Sequence, residues 1–315
     1  MPEEPVKLDE TLDAKPYEPP KPGRSLTGFY VAVGIVVVLG LFGAWFWRTY
    51  TVWWFDADEA KRRQAAAAQQ LSLPVEKSVD LGDGVSLDLV LIPAGRFRMG
   101  SPPEEKDRSK DEMQHWVTIT RPFYLGKCEV TQEQWQKVAG SNPSWFKSTV
   151  NPVERVSWDD CQEFLKKLNY LGKTKGQFRL PTEAEWEWAC RAGTRGRFCF
   201  GDADETLVDY AWYEANSENT SHSVGAKKPN AWSLFDMHGN VWEWCEDWHE
   251  QGYYAQSPKC DPPGPATGSL RVVRGGCWGN RPPAHSRSAS RDRISPTDRD
   301  RNFVGFRVVL SPVGH

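Results

Sequence analysis

The sequence predicts a loop-rich domain that mixes short strands with capped helices, set behind one transmembrane helix. Three observations carry this. Residues Leu26–Trp47 run without a charge. The rest is polar, with a mean hydropathy of −0.61 over the whole chain, yet the 315 residues include 16 Trp, 26 Gly and 23 Pro. Such a chain packs on aromatics rather than on Leu-Ile-Val layers. Finally, short alternating runs are interleaved with helical segments that open on capping residues.

At the N-terminus, residues 1–24 mix Pro with Glu, Lys and Asp and bury nothing, which predicts a disordered tail. The 22 residues Leu26–Trp47 span about 33 Å as a helix, against roughly 30 Å of bilayer core. Trp45, Phe46, Trp47, Tyr50, Trp53, Trp54 and Phe55 supply an interfacial aromatic belt, so 25–55 is assigned to the membrane. Flanking Lys and Arg are balanced on the two sides. A long C-terminal domain translocates largely regardless of charge, which favours a single-pass protein with its domain on the exported side, periplasmic or extracellular. Residues 56–78 read as a polar helical stalk, with Glu59 and Arg63 at i,i+4. The soluble domain is expected over 79–315.

Within it, Val85–Ile92, Arg96–Met99 and His115–Arg121 read as strands, and Glu104–Glu112 as a solvated charged loop. Thr131 and Gln134 form a capping box ahead of Trp135, Val138 and Ala139. Ser157 caps a helix carrying Cys161, Phe164, Leu165 and Leu168 on one face. Thr182 and Glu185 box the start of a third, with Trp186, Ala189 and Cys190 aligned. The stretch Phe235–Trp248, FDMHGNVWEWCEDW, sets four carboxylates among three indoles around a Gly239-Asn240 turn. It predicts a short strand over Val241–Trp244 and no long one.

Net charge is −3 and the pI is about 6.1, so the overall balance asks for no nucleic acid. Seven Cys leave at least one unpaired in a monomer, and none forms a CxxC pair, which argues against a zinc knuckle or a thioredoxin-like site. None of the six His lies at i,i+4 to another. The arginines between Arg271 and Arg307 have two readings: an ion-pair lattice with nearby acids, or an anion-binding face.

Taken in order, MGSPPEE, FYLGKCEVTQEQW, PVERVSWDDCQEF, FRLPTEAEWEWACRAG, FDMHGNVWEWCEDW, RVVRGGCW and NFVGFRVV resemble the formylglycine-generating enzyme family, the sulfatase-modifying factor domains. The resemblance covers about residues 80–311. It implies an α+β domain with little regular secondary structure, related to C-type-lectin-like domains. It also implies a structural Ca²⁺ held by Asp236, the carbonyls of Gly239 and Val241, and Glu243; two carboxylates with turn carbonyls suit a hard cation. The bland counterpart is that Asp236 caps the turn and Glu243 pairs with an arginine.

In such enzymes a cysteine pair binds copper just after the motif that reads GGCW here. On this sequence the first position falls on Asn280 and the second between Pro283 and His285, and no cysteine follows Cys277. Copper-dependent oxidation of a substrate cysteine is therefore not expected, and Cys277 and His285 are the residual catalytic candidates. Cys190 matches a cysteine that is disulfide-bonded in some members, but Val308 stands at its partner position. Trp278, Asn280, Arg281 and His285 are the expected ligand groove. The expectation is a membrane-anchored domain binding a protein, peptide or glycan. The alternatives are a divergent oxidase or a non-haem iron enzyme using His285 or His238, and a structural subunit of a membrane complex.

Overall fold

The computed structural model describes residues 54–280 and 283–311. The tail, the charge-free run 26–47 and Arg281 lie outside them. Among the described residues no helix is long and apolar enough to cross a membrane.

The chain enters through helix α1 (Ala57–Leu71), capped by the Asp56 carboxylate on the Glu59 N–H at 2.8 Å. This helix is not a free stalk. Ala60, Gln64 and Ala68 are buried; Gln64 Nε2 donates to the Leu91 carbonyl at 2.9 Å, and Trp232 Nε1 donates to Ala60 O at 3.0 Å. Phe55, expected in the aromatic belt, is instead a core residue. It packs against Trp188 and Trp232, and a Cβ at Gly193 would sit 1.9 Å from its ring. The docked region thus begins some twenty residues before position 79.

A five-stranded sheet follows, in the order β1 (Glu76–Gly82), β2 (Val85–Ile92), β5 (Phe123–Gly126), β11 (Val309–Ser311), β6 (Gln177–Arg179), with every neighbouring pair antiparallel. It lies between two cores. Leu87, Leu89 and Leu91 of β2 face one, with Trp135, Phe164 and Phe306; Val90 and Ile92 face the other, with Trp186, Trp188 and Trp232. Period-2 alternation therefore sorts β2 between two apolar layers rather than between core and water. Strands β3 (Gly95–Met99) and β4 (His115–Ile119) pair as a separate ribbon.

All three capping motifs close as the sequence predicts. Thr131 and Gln134 bond reciprocally at the start of α2 (Gln132–Ala139), as do Ser157 and Asp160 for α3 (Trp158–Tyr170), and Thr182 and Glu185 for α4 (Glu183–Arg191). Caps of this kind contribute about 1 kcal/mol each. Trp135 of α2 stacks on Phe164 of α3 at 5.0 Å, with interplanar angle 6°.

The second sheet has the order β10 (Val304–Gly305), β7 (Trp242–Trp248), β8 (Arg271–Arg274), β9 (Arg291–Ile294), with β10 parallel to β7. Strand β7 is longer than the sequence predicts. Its first four residues are buried regardless of parity, so a central strand covered on both faces showed no alternation to read. The charged run 104–112 is largely solvent-exposed as expected, but the Glu105 and Glu112 side chains turn in against Arg287.

Candidate functional site

The site is built where the turn at Gly239-Asn240 meets the segment after β8. Asn240 adopts φ +67°, and a Cβ at Gly239 would lie 2.3 Å from the Trp212 carbonyl, so the turn needs both residue types. The Asn240 carboxamide accepts from His222 N at 3.0 Å and donates to His222 O at 3.2 Å, while its carbonyl receives Trp278 N at 2.8 Å. That last bond seats the groove segment on the turn.

Trp278 is half-buried. Its indole N–H donates to Asn302 O at 3.1 Å, and Phe146 meets it edge-on at 5.5 Å. Beside Phe146, Trp145 is 64% exposed, with the Arg155 guanidinium 5.8 Å from its ring. The Asn280 carboxamide is committed to the Cys277 N–H at 2.6 Å. Cys277 is buried, and burial pushes its thiol up to about 12. His285 lies edge-on to Trp242 at 6.2 Å, and a Cβ at Gly276 would meet its carbonyl at 3.0 Å. Trp278, Asn280 and His285 thus lie on one continuous segment around Cys277. Sequence reasoning missed Trp145 and Phe146, which are separated from that segment by about 130 residues and carry no motif of their own.

Beneath Phe146, Glu154 is fully buried and accepts the Phe146 N–H at 2.8 Å through Oε1, leaving Oε2 without a partner. Burial raises its carboxyl from 4.5 to about 7, against the backbone N–H groups of Phe146 and Trp145 and the charges of Arg155 and Lys147.

His238 is a core residue. Nδ1–H donates to Ser286 O at 2.7 Å, Nε2 accepts Cys199 N at 3.1 Å, and burial lowers its pKa to about 4, so the ring is neutral. Among the described residues no three His, Cys, Asp or Glu side chains are placed to hold a metal ion, and all seven cysteines are free thiols.

The two carboxylates expected to hold calcium take different protein partners. Both Glu243 oxygens are held by Arg307, at 2.6 Å to Nε and 2.6 Å to Nη2, and Oε2 also accepts Trp186 Nε1 at 2.8 Å. Asp236, at φ +59°, accepts Gly225 N through Oδ2 at 2.7 Å, and Oδ1 is buried without a partner. Burial raises its carboxyl to about 6. Its unsatisfied neighbour is Glu129, which the sequence did not single out. Both oxygens of that residue are buried and unpartnered, and Asp236 lies within hydrogen-bonding reach of it. Asp236 thus keeps one oxygen without a protein partner, and Glu243 keeps none. The one signal was an acid in the run CEVT at the end of a buried strand.

The arginines resolve to the lattice reading. Arg274, Arg287, Arg291 and Arg307 are all buried, and each is paired with a buried glutamate: Glu187, Glu112, Glu183 and Glu243 respectively.

Residues 84–312 match the family described as "Sulfatase-modifying factor enzyme 1-like domain". The chain belongs to this family. It is 30% identical over 242 residues to the chaperone protein LppX of Paenibacillus barcinonensis, covering 62% of this chain and 79% of the relative. It is 37% identical over 158 residues to the formylglycine-generating enzyme of Streptomyces coelicolor, covering 46% of this chain and 47% of that one, so the match spans less than half of the enzyme's length. Among solved structures, Treponema denticola variable protein 1 superposes with a TM-score of 0.70 at 33% identity, over 76% of this chain and all of that one. The sulfatase-modifying-factor fold and its mixed helix-and-sheet content are as the motifs imply.

Proposed function

We propose that this chain is a membrane-anchored sulfatase-modifying-factor domain. On the exported side it holds a protein or peptide segment in the groove edged by Trp145, Phe146, Trp278 and His285, without copper-dependent cysteine oxidation. The observation that carries this is the make-up of segment 275–291. Cu(I) favours soft thiolate or thioether ligands, and segment 275–291 has one Cys and no Met. Here the single thiol, Cys277, is buried with its proton tightly held, and Asn280 spends its side chain on the Cys277 backbone. What remains on the rim is an exposed indole, a second ring edge and an adjacent guanidinium, the side-chain types that anchor protein ligands. The relative named as a chaperone protein supports a polypeptide ligand, and the charge-free run 26–47 supports the anchor.

The test uses the full chain in detergent against an array of unmodified peptides, a glycan array, and a cysteine peptide of the sulfatase type incubated with Cu(I) and dioxygen. Peptide binding with no formylglycine by mass spectrometry is expected. Formylglycine in the peptide, or binding to glycans alone, overturns the reading.

A further inference from the structure

The rim beside Trp145 carries a backbone feature that the fold does not ask for. Glycine aside, most described residues with positive φ are Asp, Asn or Ser, short polar types. Arg155 is held at φ +59° and is the one cation among them. Its neighbours Glu154 and Val156 are buried, and its backbone N–H donates to Arg301 O at 3.1 Å, so the interior fixes the position from both sides. Glycine or asparagine there would relieve the strain. Strain of this kind persists where the surroundings over-determine it, and it gathers at ligand sites.

The Arg155 guanidinium lies 5.8 Å from the Trp145 ring and uses one of its five N–H groups, on Asp300 Oδ1 at 3.0 Å. The Asp300 side chain is 84% exposed, so this pair stands in water and contributes little to the fold. A carboxylate brought by a ligand can fill the same fork with both oxygens. Lys147, on the Trp145 loop, donates to Asn142 O at 2.8 Å and forms no ion pair among the described residues. The other nearby acids are engaged: Asp298 by Arg301 at 2.9 Å and Asp160 by Arg299 at 3.1 Å. Glu154 lies beneath, and burial pushes its carboxyl up to about 7, so near neutral pH it offsets only part of the rim's positive charge. The loop is also built in advance. Gln132, buried on α2, donates to Phe146 O at 2.7 Å and accepts from Asn142 Nδ2 at 2.9 Å and Ser148 N at 3.1 Å. A fixed rim loses less freedom on binding.

We propose that Arg155 and Lys147 select a peptide segment carrying Asp or Glu side chains beside the apolar residue that Trp145 receives. Asp300 holds the Arg155 fork until the ligand's carboxylate displaces it. Two separate cations suit acidic side chains along a segment better than a single C-terminal carboxylate. This names the class of ligand for the groove and rests on the polypeptide reading of it.

The test takes a peptide selected from the array and resynthesises it with Asp, Asn or Lys flanking its apolar anchor, each with a free and an amidated C-terminus. Affinity for the full chain in detergent is read by fluorescence anisotropy. The Asp series is expected to bind about tenfold tighter than the Asn series, and the Lys series weakest, whatever the C-terminus. That preference shrinks as salt rises. Arg155→Gly removes the fork and relieves the positive φ, so the preference is lost while the melting temperature holds or rises. Asp300→Asn widens the Asp-over-Asn ratio, because the competing acid is gone. An arginine that only braces the fold would do neither. Equal binding of the Asp and Asn series by the wild type overturns the acidic selection and leaves the polypeptide reading standing. So does a preference that follows the free C-terminus alone. An Arg155→Gly protein that melts below wild type and loses every series alike makes Arg155 a brace and overturns its role. An array that yields no bound peptide overturns the reading and the selection together.

Discussion

The lattice behind β7, β8 and β9 and the cluster around the groove use the same residue types at the same depth, yet they are finished differently. In the lattice every carboxylate named above has a fork: Glu187 accepts Arg191 Nε at 2.8 Å and Gly100 N at 2.9 Å as well as Arg274, and Glu183 takes Arg291 at 2.7 and 2.8 Å. Around the groove, Glu129, Asp236 and Glu154 have backbone donors or none. The physical consequence is a difference in titration. Burial alone would raise Glu187, but Arg191 and Arg274 outweigh it and hold it lowered, whereas nothing outweighs burial at Glu154 or Asp236. Charge that is compensated by the fold serves the fold; a buried carboxyl with no guanidinium holds its proton more tightly.

The largest effect comes from breaking the compensated side. Arg274→Met leaves Glu187 with Arg191 as its one cation and loosens Glu183, and removing one partner of a buried pair costs about 3–5 kcal/mol, a fall in melting temperature on the order of 10 °C in a domain of this size. The matched double variant Glu187→Gln with Arg274→Met is expected to recover only part of that loss, because it removes the under-paired carboxylate but leaves Arg191 without its acid. Thermal melts of the three proteins check it. A double variant no better than the single would mean that the bonds from Arg274 to the carbonyls of Ser288 and Ala289 dominate instead.

This division also explains how much was legible in the sequence. The two capping boxes, the Ser157 cap, the β2 strand and the family motifs read directly, because each is a local pattern. Glu243 with Arg307, 64 residues apart, and Glu183 with Arg291, 108 apart, are long-range pairs, and a single sequence offers only the two readings of lattice or anion face. Phe55 failed for a different reason. It closes an aromatic run that looks interfacial, and only the missing side chain at Gly193, far along the chain, reveals the slot it fills. Glu129 stayed hidden because one acid beside a buried strand end looks like any strand terminus.

On the open side, Glu154 makes the groove wall pH-dependent. Its folded pKa of about 7 lies above the ordinary 4.5, so the folded state binds the proton more tightly than the unfolded chain. Between pH 4.5 and 7 folding takes up a proton, and stability falls as pH rises through that window, then levels off above it. Glu154→Gln should flatten this part of the profile and melt a few degrees above wild type at pH 8. The readout is melting temperature against pH for the two proteins; parallel curves would show that Glu154 is compensated after all.

The smallest effect on the fold, and the sharpest contrast, belongs to Trp145. It is 64% exposed, and surface substitutions away from packed contacts stay within about ±0.5 kcal/mol, so Trp145→Ala should leave the melting curve in place. If the rim holds a polypeptide, the same change removes a central anchor and weakens binding of an array-selected peptide by about 2 kcal/mol, roughly thirtyfold. Trp278→Ala should lose binding as well, but at a cost in stability, since its indole bonds Asn302 and packs on Phe146. A Trp145 variant that keeps full peptide affinity moves the ligand off this rim. One that loses affinity with an unchanged melt separates, in a single residue, the surface that binds from the lattice that holds it.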